Sequence, residues 1–144
     1  MTSRVTLKVK KIHPDAKIPE GQYDHPSGYD LSCVEDFWIA KGETKIVETG
    51  LCFEIPEGFE IQIRPRSGLA TKGITVVNSP GTIDSDYRGE IKIIMHNLTR
   101  VLEFKKGDRI AQAVVCELPR VSILEVDNLS ETTRGNKGFG STDK

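Results

Sequence analysis

Apolar and polar residues alternate over short stretches of this chain, and each stretch ends at glycine, proline, asparagine or aspartate. Val5, Leu7 and Val9 alternate with Thr6, Lys8 and Lys10, which predicts a half-buried strand. His13-Pro14-Asp15 and Pro19-Glu20-Gly21 interrupt it, and residues 22–28, polar and containing Pro26, read as a loop. Further strands are predicted at 29–34, 37–39, 45–53 with an interruption at Gly50, 59–64, 74–77, 91–95, 101–104, 110–116 and 121–126. Phe59, Ile61 and Ile63 should face inward, as should Ile91, Ile93 and Met95, while the run 110–116 has the pattern of a strand buried on both faces. Ser67-Gly-Leu-Ala70 can start one or two helical turns, ended by Gly73.

About ten short strands at 8–12-residue spacing, with turn signals between them and no long helical period, argue an all-β sandwich or barrel with antiparallel pairing. From residue 127 the composition changes. Residues 130–144 are polar and glycine-rich with Phe139 the sole large apolar side chain, so the chain divides into a β-domain over 1–129 and a flexible C-terminal arm over 130–144.

The stretch Gly81-Thr-Ile-Asp-Ser-Asp-Tyr-Arg-Gly-Glu-Ile91 carries Asp84, Asp86, Tyr87 and Arg88 between two glycines, directly before an apolar strand. It is either a solvated turn or a hairpin that holds carboxylates and a tyrosine at its tip. Arg66-Ser67-Gly68 is either a basic turn or an anion cradle, with a planar fork of donors, a hydroxyl and a close-approaching backbone. Asp30 and Asp84 are candidates to organise a hydrated divalent cation or to take a proton from water. The tail repeats the phosphate theme with Arg134, Lys137, Ser141 and Thr142, and adds Phe139 as a stacking face between glycines. It reads as a lid, a docking peptide or disorder. No GxxxxGK[ST] and no GxGxxG is present, so any nucleotide site must be built another way.

Composition narrows the classes. The chain has 144 residues, which suits one domain. With 20 basic and 21 acidic residues the net charge is −1, which gives no whole-protein field for nucleic acid or an acidic membrane. Cys33, Cys52 and Cys116 are far apart, with no CxxC and no cysteine–histidine pair at metal spacing, and read as free thiols in a reducing compartment. There is no signal-peptide pattern at the start and no apolar run near the ~20 residues of a membrane span, so the expectation is a soluble cytoplasmic protein.

Five segments in this order resemble the motifs of the trimeric dUTPases (dUTP diphosphatases): Gly28-Tyr-Asp-Leu31, Arg64-Pro-Arg-Ser-Gly-Leu-Ala70, Asn78 through Gly81-Thr-Ile-Asp-Ser-Asp-Tyr-Arg-Gly89, Gly107-Asp-Arg-Ile-Ala-Gln112, and Arg134-Gly-Asn-Lys-Gly-Phe-Gly-Ser-Thr142. The resemblance implies a jelly-roll-like β-domain, a homotrimer with three active sites shared between subunits, and an arm that reaches a neighbouring subunit. It implies hydrolysis of dUTP to dUMP and pyrophosphate with Mg²⁺ as cofactor, which keeps uracil out of DNA and supplies dUMP for dTTP synthesis.

Carried over by position, Asp84 resembles the general base for the attacking water. Tyr87 resembles the residue packed under the deoxyribose, and Asn78, Gly81 and Ile83 belong to the hairpin that reads uracil. Arg66, Ser67, Gly68 and Gln112 match phosphate contacts. Asp30 matches the acid that holds Mg²⁺ through water. Arg134, Gly140, Ser141 and Thr142 match the arm's contacts to the terminal phosphates, and Phe139 the ring that stacks on uracil. Asp86 and Arg88 are expected to shape the turn or face outward. The tail departs from the family at Lys137 and Asp143, where glycine is common, and Asp143 is expected to point away from the phosphates. The rival reading is the related dCTP deaminase, for which Glu90 would be the nearest available acid.

Overall fold

The computed structural model describes residues 4–142. Its elements in chain order are β1 (Lys8–Lys11), β2 (Tyr29–Ser32), β3 (Phe37–Ile39), β4 (Thr44–Glu54), β5 (Phe59–Arg64), the four-residue helix α1 (Ser67–Ala70), β6 (Ile74–Val76), β7 (Gly81–Ile83), β8 (Glu90–Asn97), β9 (Leu102–Phe104) and β10 (Arg109–Glu117). The strands form two four-stranded sheets, ordered β1-β4-β8-β6 and β2-β10-β5-β7, and a two-stranded sheet of β3 and β9. Every pairing is antiparallel. No helix among the described residues is long and apolar enough to cross a membrane.

The core follows from the alternation. Ile61 and Ile63 of β5, Leu31 of β2 and Ala111 and Ala113 of β10 meet Leu51 and Phe53 of β4 and Ile91, Ile93 and Met95 of β8 in one buried cluster. Each large side chain fully removed from water contributes about 1.5–3 kcal/mol. Asn97 is fully buried among them and is satisfied. Its Nδ2 donates to the Ile39 and Arg100 carbonyls, and its Oδ1 accepts from the Thr99 amide.

Four expectations need adjusting. The interruption at Gly50 is a register shift inside one continuous strand: pairing with β8 slips between Glu48 and Cys52. Gly50 has φ +69°, and a Cβ there would sit 2.6 Å from His13 Cβ, so only glycine fits. Strand β1 begins at Lys8, because its ladder runs only from Lys8 to Lys11 along β4, and Val5 is left exposed. β10 is not buried on both faces throughout: Ile110, Ala111 and Ala113 are inside, but Gln112 and residues 114–116 are half-exposed. The predicted strand at 121–126 is absent. Val121, Ile123 and Leu124 are 71%, 96% and 80% exposed, and the segment joins no sheet in this chain. Alternation gives a strand its pattern, whereas pairing gives it existence, and none of the described strands pairs with these residues.

Candidate active site

The hairpin expected over 81–91 does not form: β7 pairs with β5 in one sheet and β8 with β4 and β6 in the other, so residues 84–89 are a loop that crosses between the two sheets. Strand β7 pairs with β5 through Ile83↔Ile61 and Gly81↔Ile63, which fixes the entry to the turn. The Tyr87 amide donates to the Asp84 carbonyl at 3.1 Å, closing the tip. Arg88 Nη1 donates to the Ser85 carbonyl at 2.6 Å and to the Tyr87 carbonyl at 3.2 Å, so its guanidinium staples the turn. The Tyr87 hydroxyl donates to the Glu90 carbonyl at 2.9 Å, and Glu90 Oε2 accepts from the Gly50 amide at 3.0 Å.

The glycines at the two ends of this stretch have steric reasons. A Cβ on Gly89 would run into the Tyr87 hydroxyl end, and a Cβ on Gly81 would lie 3.3 Å from the Asn78 amide nitrogen and 3.2 Å from Ile63 Cβ. Glycine therefore lets the Tyr87 ring fold back over position 89 and lets the Asn78 amide approach position 81.

Beside this loop lies a cavity of about 360 Å³, lined by Asn78, Gly81, Ile83, Asp84 and Tyr87 over an apolar floor that includes Ile91 and Ile93. Its size and its mix of apolar walls with a few polar groups suit one flat heterocycle and its sugar. Asp84 is exposed at the start of the loop.

A second cavity, of about 310 Å³, is lined by Gln22, Tyr23, Pro26, Ser27, Gly28, Asp30, Arg66, Ser67, Gly68 and Gln112. Asp30 organises it. Its side chain is only 11% exposed. Oδ1 accepts from Arg66 Nε at 3.1 Å, Oδ2 accepts from Gln22 Nε2 at 2.7 Å, and Arg109 Nη1 stands 3.7 Å from Oδ2. Arg66 Nη1 also donates to the Arg109 carbonyl at 3.2 Å. The Gln112 amide donates to the Pro65 carbonyl at 3.0 Å, and a side chain on Gly28 would collide with that same amide. The guanidinium fork, the Ser67 hydroxyl and the Gly68 backbone line one wall, as an anion requires.

The structure thus brings Asn78, Gly81, Ile83, Asp84 and Tyr87 to one cavity, and Asp30, Arg66, Ser67, Gly68 and Gln112 to another. The two share no lining residue. Arg134, Phe139, Gly140, Ser141 and Thr142 line neither. They lie in a turn-rich arm, where Arg134 Nε donates to the Lys137 carbonyl and the Ser141 amide to the Gly138 carbonyl. Phe139 holds a left-handed φ of +51° with its ring fully in solvent, an uncommon backbone for a bulky residue. Asp143 lies outside the described residues.

Two features were not found from the sequence. Gln22 reads there as one more polar loop residue, yet it touches Asp30. Glu90 reads as an acid beyond the hairpin tip, yet its carboxylate is tied to Gly50. No local pattern signals either contact.

The sequence model of the dUTPase family matches residues 14–143. The chain belongs to the dUTPase family. It is 55% identical over 140 residues to the deoxyuridine 5'-triphosphate nucleotidohydrolase of Nautilia profundicola, covering 96% of this chain and 99% of that one. The Helicobacter hepaticus protein of the same name is 49% identical, covering 99% and 91%. Among solved structures, the dUTPase of Staphylococcus bacteriophage 80alpha with dUPNHPP superposes with a TM-score of 0.89 at 26% identity, covering 95% of this chain and 98% of that one. The dUTPase from phage phi11 of S. aureus, at 22% identity and a TM-score of 0.80, shares the fold.

Proposed function

We propose that this chain hydrolyses dUTP to dUMP and pyrophosphate, in a site assembled from the two cavities of different subunits. One observation carries the reading: a heterocycle-sized cavity with a carboxylate at its mouth and a separate guanidinium-lined cavity occur in one dUTPase-family chain, and neither is a whole nucleotide site. A closed ring of three copies joins each nucleoside cavity to a polyphosphate cavity of its neighbour. In this reading the apolar segment 118–129 packs against a neighbouring subunit, and the arm from residue 130 closes Phe139 over the base.

Asn78 and the backbone of the 81–87 stretch read the uracil edge, and the tight fit there excludes a 5-methyl group. An unpaired polar group here disfavours cytosine more strongly than lost contact area would. Tyr87, held by its hydroxyl to Glu90, offers its ring to the deoxyribose and leaves no room for a 2′-hydroxyl. Asp84 accepts a proton from water as the water oxygen bonds to the α-phosphorus. The bond from that phosphorus to the oxygen bridging to the β-phosphate breaks, and the electron pair leaves with pyrophosphate. Arg66, Ser67, Gly68 and Gln112 hold the polyphosphate and stabilise the charge that develops on it, joined by Arg134, Ser141 and Thr142 of the arm.

Among the described residues no three histidine, cysteine or acidic side chains gather to hold a metal ion. The donor set instead fits a hydrated Mg²⁺ that arrives with the triphosphate, since Mg²⁺ keeps several waters and shares phosphate oxygens. Asp30, facing the polyphosphate cavity, would hold it through those waters. When bound, the ion neutralises phosphate charge and orients the chain of phosphates.

The deaminase reading requires a mobile acid near a cytosine ring. Glu90 is the nearest, and its bond to the Gly50 amide speaks against that role. Chromatography of products from dUTP, dCTP and the common dNTPs with Mg²⁺ tests the proposal. dUMP and pyrophosphate from dUTP alone are expected, whereas dUTP formed from dCTP would overturn it. Removing residues 130–144 should abolish turnover and leave assembly intact, as read by light scattering.

A further inference from the structure

We infer that Gln22, which lies outside all five motif segments, is a positioning residue for the polyphosphate half of the site. The inference rests on the nucleotide reading above. It starts from competition for one oxygen. Asp30 Oδ2 accepts from Gln22 at 2.7 Å, while Arg109 Nη1 waits 3.7 Å away, just beyond hydrogen-bond reach. Oδ1 is left to bind Arg66 Nε. A neutral donor thus occupies the oxygen that a second guanidinium would otherwise take.

The consequence falls on Arg66. Its Nε is committed to Asp30 and its Nη1 to the Arg109 carbonyl, so Nη2 is left without a protein partner among the described residues. That nitrogen is the edge a phosphate oxygen can use. Without Gln22, Arg109 closes on Oδ2, the carboxylate turns toward β10, and Arg66 loses the bond that fixes its plane. Arginine recognises phosphate through a fixed planar fork, so loss of its orientation costs affinity even with its charge unchanged.

The loop is shaped to deliver Gln22. Glu20 forms a β-bridge with Asp30, and its carbonyl accepts the Asp30 amide at 2.8 Å. Gly21 lies so close to Pro26 that any side chain there would collide with the proline ring. The 20–28 segment is therefore clamped at both ends around the Gln22–Asp30 bond. Gln22, Pro26 and Gly28 all line the Arg66 cavity.

The test is a double-mutant cycle read by calorimetric binding of two probes, dUMP and the non-hydrolysable α,β-imido analogue of dUTP. Gln22→Met keeps the length of the side chain and removes the donor. It should weaken the analogue by about 3–10-fold, the net range for one ordinary hydrogen bond, and leave dUMP affinity nearly unchanged. In an Arg109→Met background the same Gln22→Met change should have no effect on the analogue, because the competitor is gone. Equal weakening of both probes, an undiminished loss in the Arg109→Met background, or no loss at all would overturn the inference. A wild-type protein that binds neither probe would instead overturn the nucleotide reading beneath it.

Discussion

The cavity at the 81–91 loop and the cavity around Asp30 hold their functional groups in different ways. The functional groups of the first come from one contiguous stretch. They are fixed by bonds to backbone carbonyls three residues away, from Tyr87 to Asp84 and Glu90, and by a sheet register that admits one placement. The second is gathered from three distant segments, around residues 22–30, 66–68 and 109–112, and its geometry depends on a single carboxylate shared among side chains. A backbone-fixed half tolerates side-chain changes that do not collide with it. A half fixed by shared charge responds to any change in who shares it.

The largest expected effect separates chemistry from both kinds of scaffold. Asp84→Asn keeps the loop's shape and removes the proton acceptor, so kcat should fall by about 10²–10⁴-fold while the imido analogue still binds. Near-normal turnover would remove Asp84 from the base role. Next is Asp30→Asn. It withdraws a charge-assisted bond from Arg66 and leaves two guanidiniums unbalanced, at a cost of about 1.5–3 kcal/mol. The analogue should weaken by ~10–100-fold with dUMP nearly unaffected. If both ligands weaken alike, the two halves are not independent and the contrast drawn above fails.

This difference also explains what could be read from the sequence. Ile61, Ile63, Ile91, Ile93 and Met95 announce their faces because a strand's period is two, and they are buried as expected. The 81–91 stretch was legible as a site because its glycines, acids and tyrosine are adjacent, but it was misread as a hairpin, since no local pattern tells β7 to pair with β5 and not with β8. The Asp30 cluster was legible only as separate motifs, since nothing local tells Gln22 that it will lie 2.7 Å from Asp30. The segment 121–126 misled for the related reason that its alternation is real and yet it joins no sheet of this chain, which leaves Ile123 and Leu124 exposed.

A smaller effect probes the 81–91 loop. On Gly89→Ala the new methyl meets the Tyr87 ring end, which can swing aside at about 1 kcal/mol. KM for dUTP should rise by about fivefold, kcat should change less, and discrimination against UTP should fall. Retained discrimination would mean that Tyr87 does not select the sugar.

The smallest effect lies under the other half. Cys33 is buried, its amide donates to the Asp108 carbonyl, its carbonyl accepts the Gly107 amide, and its thiol points to the Lys105 carbonyl at 3.1 Å. It therefore supports the turn that leads into Arg109. Burial pushes the Cys33 thiol above its ordinary value of 9.0, with the nearby Asp108 charge acting in the same direction against weaker backbone hydrogen bonds. A folded-state value above the unfolded one favours the folded protein fully below pH 9.0, and this contribution is lost as pH rises through the folded value. Cys33 should resist alkylation at neutral pH more than the half-exposed Cys52 and Cys116 do. At alkaline pH a thiolate beneath this turn should loosen Arg109 and the Asp30 cluster before it reaches the 81–91 loop. Analogue affinity should then decline at lower pH than dUMP affinity, by a small factor that Cys33→Ala removes. A simultaneous decline of both would show that the halves share more structure than their separate linings indicate.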